Sequence, residues 1–245
     1  LTGAGGSAAL LGDAHLRESD PETSAFVRFL DALPREIGTL AILGDLFSAW
    51  IGRKELLRPH HHEVLEALRR LRARGCRLLY VEGNHDFFLR AMFAPDPFES
   101  CAEVSLDLAI AGRRVHLAHG DLVNRRDHQY RAWRAISKNR LAFGAFNLLV
   151  PRRSRERLVD RLEAGMAKTN MRARTGFPVA ECLAYARPLV RLGTDLLVFG
   201  HFHEERRIAI EEGESRGTVY VLPAWRAWHR YLRLDPGAEP AFVCA

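Results

Sequence analysis

No run in this 245-residue sequence approaches the roughly 18 consecutive apolar residues of a membrane-spanning helix, which excludes an integral helical membrane protein. Cysteine is scarce. The four that occur, Cys76, Cys101, Cys182 and Cys244, lie far apart and form no CxxC pair, which excludes a disulfide framework and a thiolate metal site and suits a reducing compartment. Internal repeats and low-complexity tracts are missing too, so solenoid and disordered classes fall away. Residues 1–9 carry no basic group; no cleavable signal peptide is expected there, and the expected location is the cytoplasm. What is present is ordinary globular material, 47% hydrophobic and 27% charged residues, enough for one large domain or a domain with an insertion. The net charge of +6 would attract an anionic partner without choosing among nucleic acid, a membrane surface and a phosphorylated substrate. Much of that excess lies in Arg69 to Arg77 and Arg152 to Arg161, both of which read as helices with solvated arginine faces.

Short apolar runs that end in polar motifs recur along the chain: Ala8 to Leu11, Thr39 to Leu43, Leu78 to Val81, Val115 to Ala118 and Leu196 to Phe199. They read as buried strands. Between the first three lie predicted helices, about Pro21 to Leu33 and about Pro59 to Arg74; in the second, Val64, Leu65, Leu68 and Leu71 fall at helical spacing and Gly75 supplies a stop. This alternation implies parallel strands joined by crossover helices. Later segments, Val104 to Ile110, Arg206 to Ile210, Val219 to Leu222 and Tyr231 to Leu234, lack helices between them and are expected as antiparallel additions. The sum is an α/β chain of two packed sheets flanked by helices. Residues 122–192 break the rhythm by reading as successive helices, and so form the candidate insertion between core segments 1–121 and 193–245.

Five polar motifs stand at the C-terminal ends of five predicted strands: Asp13-Ala14-His15, Gly44-Asp45, Gly83-Asn84-His85-Asp86, His119-Gly120-Asp121 and Gly200-His201-Phe202-His203. Ligands bind at that edge in open α/β sheets. Carboxylates, imidazoles and one amide oxygen together suit divalent ions of intermediate softness, with Mn²⁺ expected first and Fe²⁺ or Zn²⁺ as alternatives. Any one motif alone is an ordinary turn; five in this order at strand ends are not a chance set. Among the other histidines, His60, His61 and His62 begin a predicted helix and are expected to face solvent, and His116, inside a strand, is expected to pack.

With these blocks the chain resembles the calcineurin-like metallophosphoesterases, whose signature runs D-x-H, GD, GNH[D/E], H and GHxH, and no ligand position is substituted. The resemblance implies a four-layer αββα sandwich with a helical cap insertion. It implies that Asp13, His15, Asp45 and His203 hold one metal ion and Asp45, Asn84, His119 and His201 the other, with Asp45 bridging. Two ions about 4 Å apart would clamp phosphoryl oxygens and activate a water for attack at phosphorus. His85 would act on the leaving-group side as acid or charge stabiliser, with Asp86 orienting it.

The run Leu43 to Gly52 is similar to the ILGDLFEAWIG segment of the UDP-2,3-diacylglucosamine pyrophosphatases of lipid A biosynthesis, and Asp127, Tyr130 and Arg134 match the D-x-x-Y-x-x-x-R pattern that opens that family's cap. This likeness implies a nucleotide-linked acylated sugar as substrate, contacted by Asn84, His85, His201, Asp127, Tyr130 and Arg134, with Lys168 and Asn170 as further cap candidates. The cap's aromatic residues, Trp133 and Phe143 among them, and the basic amphipathic stretch Arg152 to Lys168 would meet acyl chains and the anionic inner membrane, where peripheral contact is expected. Two departures stand out: His85 occupies a place where the lipid A enzymes carry arginine (GNRD), and Leu222-Pro223-Ala224-Trp225 has proline where they carry glycine (LGAW). The alternatives are a metallophosphoesterase of another substrate, a phosphatase or a phosphodiesterase or nuclease, and a metal-free interaction module. The last would have lost ligands, and an apolar cap makes a poor polynucleotide groove, so no nucleic-acid partner is expected. Oligomeric state is left open.

Overall fold

The computed structural model describes residues 6–126, 128–139, 144 and 177–245. The first apolar runs form β1 (Ser7–Leu11), β2 (Ile37–Ile42) and, after β3 (Trp50–Ile51), β4 (Arg77–Val81), with β1 parallel to β2 and β2 parallel to β4. These strands are covered on both faces, which is why they read as continuous rather than alternating apolar runs. Helix α1 (Pro21–Ala32) crosses between β1 and β2. It starts where Asp20 accepts the Glu22 N–H at 3.1 Å and Pro21 fills the first turn, and it buries Phe26, Phe29 and Leu30. Helix α2 (Pro59–Ala73) crosses between β2 and β4, burying Val64, Leu65, Leu68 and Leu71; the chain leaves it through Gly75 at φ +93°.

The remaining strands complete two sheets. With β5 (Asp86–Phe87), β6 (Ser100–Ala102), β12 (Arg230–Leu234) and β13 (Ala241–Cys244), the first has the order β13-β12-β1-β2-β4-β6, while β3 and β5 form a separate two-stranded ladder. The second sheet has the order β10-β11-β9-β8-β7, from β7 (Ser105–Ile110), β8 (Arg113–Ala118), β9 (Leu196–Phe199), β10 (Arg206–Glu212) and β11 (Ser215–Val221). Three apolar layers hold the stack. Leu11, Leu40, Ile42 and Tyr80 meet the α1 and α2 stripes; Leu10, Leu43, Leu79 and Val81 meet Val115, Leu117, Val198 and Leu222 between the sheets; Leu197, Phe199, Val219 and Val221 meet Cys182, Ala186 and Val190 on the outer face. The last three belong to the helix Val179–Arg191, which follows α3 (Arg90–Phe93) and α4 (His128–Ser137) and is numbered α5; α6 is Trp225–Trp228. The result is an α/β/β/α sandwich. Among the described residues no helix is long and apolar enough to cross a membrane.

Three expectations change. Strand β11 is antiparallel to β10 but parallel to β9, because it returns to the sheet beside the strand that ends at the polar edge. Helix α5 lies inside the 122–192 stretch yet supplies the outer layer of the sandwich, so the end of that stretch serves the core. Between α4 and α5, residues 140–143 and 145–176, which include Phe143 and Arg152 to Lys168, lie outside the described residues. His60 and His61 do not face solvent. Both are buried, with rings 4.0 Å apart and packed on Phe47, because the α2 stripe of Val64, Leu65 and Leu68 continues backward onto them at helical spacing. His116 is buried as expected, between Asp107 (2.7 Å) and the Tyr185 hydroxyl (3.0 Å).

Burial holds the His60 imidazole down at about 4 and that of His61 at about 3, below the ordinary value of 6.5. The unfolded chain therefore takes up protons near pH 6.5 while the folded chain does not, and stability falls as pH drops through that value toward 4. In chelator-treated protein the urea midpoint should decline between pH 7 and 5, and His60→Leu/His61→Leu should decline less steeply. Parallel pH dependences for the two proteins would show that these rings do not titrate on unfolding.

Candidate metal centre

The polar edge is built from strand ends whose backbone turns sharply. Asp13, His15, Asp45, His201 and His203 all have positive φ, between 44° and 69°, a conformation that costs non-glycine residues about 1–3 kcal/mol each and persists only where surroundings fix it. Here the loops fix one another: Asp13 N–H donates to the Gly44 carbonyl (3.1 Å), His15 N–H to the Asp45 carbonyl (2.9 Å), and His201 N–H to Asp13 Oδ2 (2.9 Å). Glycines permit the close approach. A Cβ at Gly83 would stand 2.2 Å from Asp45 Oδ1, one at Gly44 2.6 Å from His119 Nδ1, and one at Gly200 2.8 Å from Asp13 Oδ2.

Each carboxylate divides its oxygens. Asp45 Oδ1 accepts the His85 N–H at 2.9 Å, while Oδ2 faces His85 Nε2 (3.7 Å), His119 Nε2 (3.7 Å) and His15 Nε2 (4.0 Å). Asp13 gives Oδ2 to the His201 N–H and turns Oδ1 to His203 Nε2 (3.1 Å) and His15 Nε2 (3.9 Å). Asn84 Oδ1 lies 2.9 Å from both His119 Nε2 and His201 Nδ1. Donor atoms of Asp13, His15 and His203, of His15, Asp45 and His85, and of Asp13, Asp45 and His119 form three clusters, within each of which all atoms lie within 4.8 Å of one another.

The electrostatics follow from burial and pairing. Burial alone would raise both acids, yet His203, His119 and His15 hold Asp13 below the ordinary carboxylate range, and His85, His119 and His15 do the same for Asp45. Burial pushes the imidazoles of His15 and His201 down to about 4, leaving neutral donors at pH 7. Burial also opposes charge on His119 and His203, but Asp45 and Asp13 raise the first and Asp13 and Asp45 raise the second. The donor set fits divalent cations on two counts. His15 Nε2 and His203 Nε2 face each other at 3.5 Å, where lone pairs need a cation or a proton between them. His119 commits Nδ1–H to the Leu43 carbonyl at 2.8 Å, leaving Nε2 as a fixed donor in the way metal-bound histidines are held.

Not every expected role is placed as expected. Asp86 does not reach the His85 imidazole. Its Oδ2 accepts from Asp45 N–H (2.9 Å), Gly83 N–H (2.7 Å) and the Tyr80 hydroxyl (2.8 Å), so it orients the Asp45 backbone, while His85 is oriented by Nδ1–H donation to the Ser48 carbonyl at 2.6 Å. Arg134 and Tyr130 are also redirected. Arg134 is buried against Asp121 (2.6 Å) and the Glu103 carbonyl (2.9 Å), and the Tyr130 hydroxyl bonds the same Asp121, so neither presents its polar group to a substrate head. Asp127, Lys168 and Asn170 lie outside the described residues. Tyr80, Ser48, Glu82 and Lys138 carry structural work around the motifs without belonging to them. Tyr80 had a signal, since a buried tyrosine on an apolar strand needs a hydroxyl partner.

A family model described as calcineurin-like phosphoesterase matches residues 7–205. The chain is 34% identical to a protein of Ralstonia nicotianae named UDP-2,3-diacylglucosamine hydrolase, over 94% of this chain and 91% of that protein. It is 31% identical to proteins of the same name from Salmonella arizonae, over 89% of this chain and 90% of that one, and Pseudomonas fluorescens, over 92% and 91%.

Asp86→Ala would leave Asp45 N–H, Gly83 N–H and the Tyr80 hydroxyl without their acceptor. The expected loss is about 1–3 kcal/mol of stability for each buried group left unsatisfied, with weaker binding of divalent metal as the Asp45 turn loosens. Urea unfolding and metal titration check this; unchanged values in both would mean that Asp86 anchors nothing.

Proposed function

The chain belongs to the calcineurin-like phosphoesterase family and is a metal-dependent hydrolase; from that premise we propose that it splits the pyrophosphate of UDP-2,3-diacylglucosamine, giving UMP and 2,3-diacylglucosamine 1-phosphate. The observation that carries the chemistry is the meeting of two buried carboxylates, five imidazoles and the Asn84 amide where strand ends of the two sheets face each other. The substrate reading is supported by near full-length similarity to proteins named for that hydrolysis and by the Leu43 to Gly52 segment.

Asp13, His15, Asp45 and His203 would hold one ion and Asp45, Asn84, His119 and His201 the other. Bound there, two divalent ions, with Mn²⁺ the expected pair, supply Lewis acidity to phosphoryl oxygens and lower the pKa of water. The rest falls to the chain. Backbone N–H groups aim one oxygen of each carboxylate, carbonyls aim His85 and His119, and the buried loops limit rearrangement during the reaction. His85 keeps Nδ1–H on Ser48, so Nε2 is the atom left to give a proton to, or stabilise charge on, the departing oxygen.

A diacylated substrate resides in a bilayer, so this reading puts the protein in the cytoplasm with peripheral contact at the anionic inner membrane, to which a net charge of +6 is attracted. The histidine at position 85, where the lipid A enzymes carry arginine, favours a second reading, a phosphodiesterase of another substrate.

His85→Ala should lower kcat by about 10²-fold while the protein still takes up two Mn²⁺ per chain. Loss of an ion would make His85 a ligand, a role that its nearness to His15 and Asp45 allows.

Substrate comparison decides between the two readings. The diacylated nucleotide should exceed UDP-glucosamine in kcat/KM by about 10²-fold or more, since each buried CH₂ contributes roughly 0.8 kcal/mol. Equal values would end the lipid reading and leave the hydrolase.

A further inference from the structure

One cation reaches the Gly83-Asn84-His85 loop from α4. Lys138, just past the end of that helix and continuing its turn through an N–H bond to the Arg134 carbonyl (2.9 Å), extends Nζ to the Gly83 carbonyl at 2.9 Å and to Glu82 Oε2 at 3.2 Å. Glu82 is 1% exposed. Its other oxygen accepts the Leu89 N–H at 2.7 Å, so this one carboxylate ties the two ends of segment 82–89 to α4. A carboxylate that deep needs a cationic partner, and Lys138 supplies it.

The consequence reaches the centre. The Gly83 residue is held from both sides, its N–H by Asp86 and its carbonyl by Lys138, while its Cα packs so closely on Asp45 that no side chain would fit. Asn84 and His85 follow directly. Their placement decides whether the amide oxygen stands between His119 and His201 and whether His85 N–H meets Asp45 Oδ1. Helix α4, which Lys138 directly follows, is itself fixed by the Arg134 to Asp121 pair, two residues from His119.

We propose that Lys138 is a positioning residue for the hydrolytic centre: by clamping Glu82 and the Gly83 carbonyl it sets Asn84 and His85, and so makes α4 part of the catalytic geometry. This rests on the reading of the edge as a metal-dependent hydrolytic centre. Removing the clamp frees the loop to drift, and a misplacement of about 1 Å can cost about 10²-fold in rate.

The test compares Lys138→Met, Lys138→Arg and Glu82→Gln with the wild-type chain in Mn²⁺-supplemented buffer on bis(p-nitrophenyl) phosphate, alongside amide hydrogen exchange over residues 82–89 in metal-free protein. Lys138→Met should lower kcat about 10-fold or more with KM within about twofold, and speed exchange in that segment above all others. Lys138→Arg should recover most of both. Glu82→Gln keeps an acceptor for Leu89 but offers Lys138 no charge; it should repeat the loss, and it answers the question if Lys138→Met fails to fold. A kcat within about twofold of wild type in Lys138→Met or Glu82→Gln, or a lowered kcat with unchanged exchange at 82–89, would overturn the proposal. A wild-type chain that cleaves the diester without preferring acylated nucleotide would end the substrate reading and leave these ratios as they are.

Discussion

Everything at the polar edge answers to one constraint, the Asp45 carboxylate held at 2% exposure with three imidazole nitrogens 3.7 to 4.0 Å from a single oxygen. A buried anion is costly without compensation, and a second, Asp13, lies in the same cluster. The protein resolves this by giving one oxygen of each acid to a backbone N–H and turning the other to imidazoles, which keeps both acids ionised. A third nearby carboxylate is not accommodated in the same way. Burial first, and Asp45 second, push Asp86 up to about 7. Geometry separates it as well: Asp13 and Asp45 each turn one oxygen to the imidazoles of the centre, whereas Asp86 gives Oδ2 to the Asp45 and Gly83 N–H groups and the Tyr80 hydroxyl.

The backbone bears the cost of that arrangement. Five site residues sit in left-handed conformations, four of them (Asp13, His15, Asp45 and His201) with a backbone hydrogen bond to a neighbouring loop, and three glycines remove the side chains that would force the loops apart. Parallel strands make this possible. They deliver β1, β2 and β4 to the same edge, and β8 and β9 of the second sheet arrive opposite them, so residues far apart in sequence meet without any long excursion.

Strand runs and motif chemistry made much of this legible in advance. Short continuous apolar runs marked β1, β2, β4, β8 and β9, and the residue types at their ends marked the centre. Partners in loops were less legible, because a bond such as Asp86 to the Asp45 N–H has no period to reveal it; proximity in sequence pointed to His85 instead. The burial of His60 and His61 is legible in the helix pattern. Four residues before Val64 and Leu65 on the same helix, they fall on its apolar face, and their polarity obscured the pattern. Helix α5 likewise announced itself through Cys182, Ala186 and Val190 at intervals of four, the stripe of a helix that covers a sheet.

The point at which the chain leaves β8 then explains why α4 matters. His119 directly follows that strand at the centre, so the chain beyond it begins at the polar edge. Asp121 meets Arg134 there in a contact almost closed to water, and Tyr130 in a half-buried one. A buried ion pair adds little net stability over an apolar contact of the same size, but it tolerates few orientations. Charge pairs, Arg134 with Asp121 and Lys138 with Glu82, set how α4 lies on the sandwich. Its apolar Trp133 and Ile136 take no part in that docking and remain 50% and 65% exposed. The helix is thus aligned by polar contacts that end on the loops carrying His119 and Asn84.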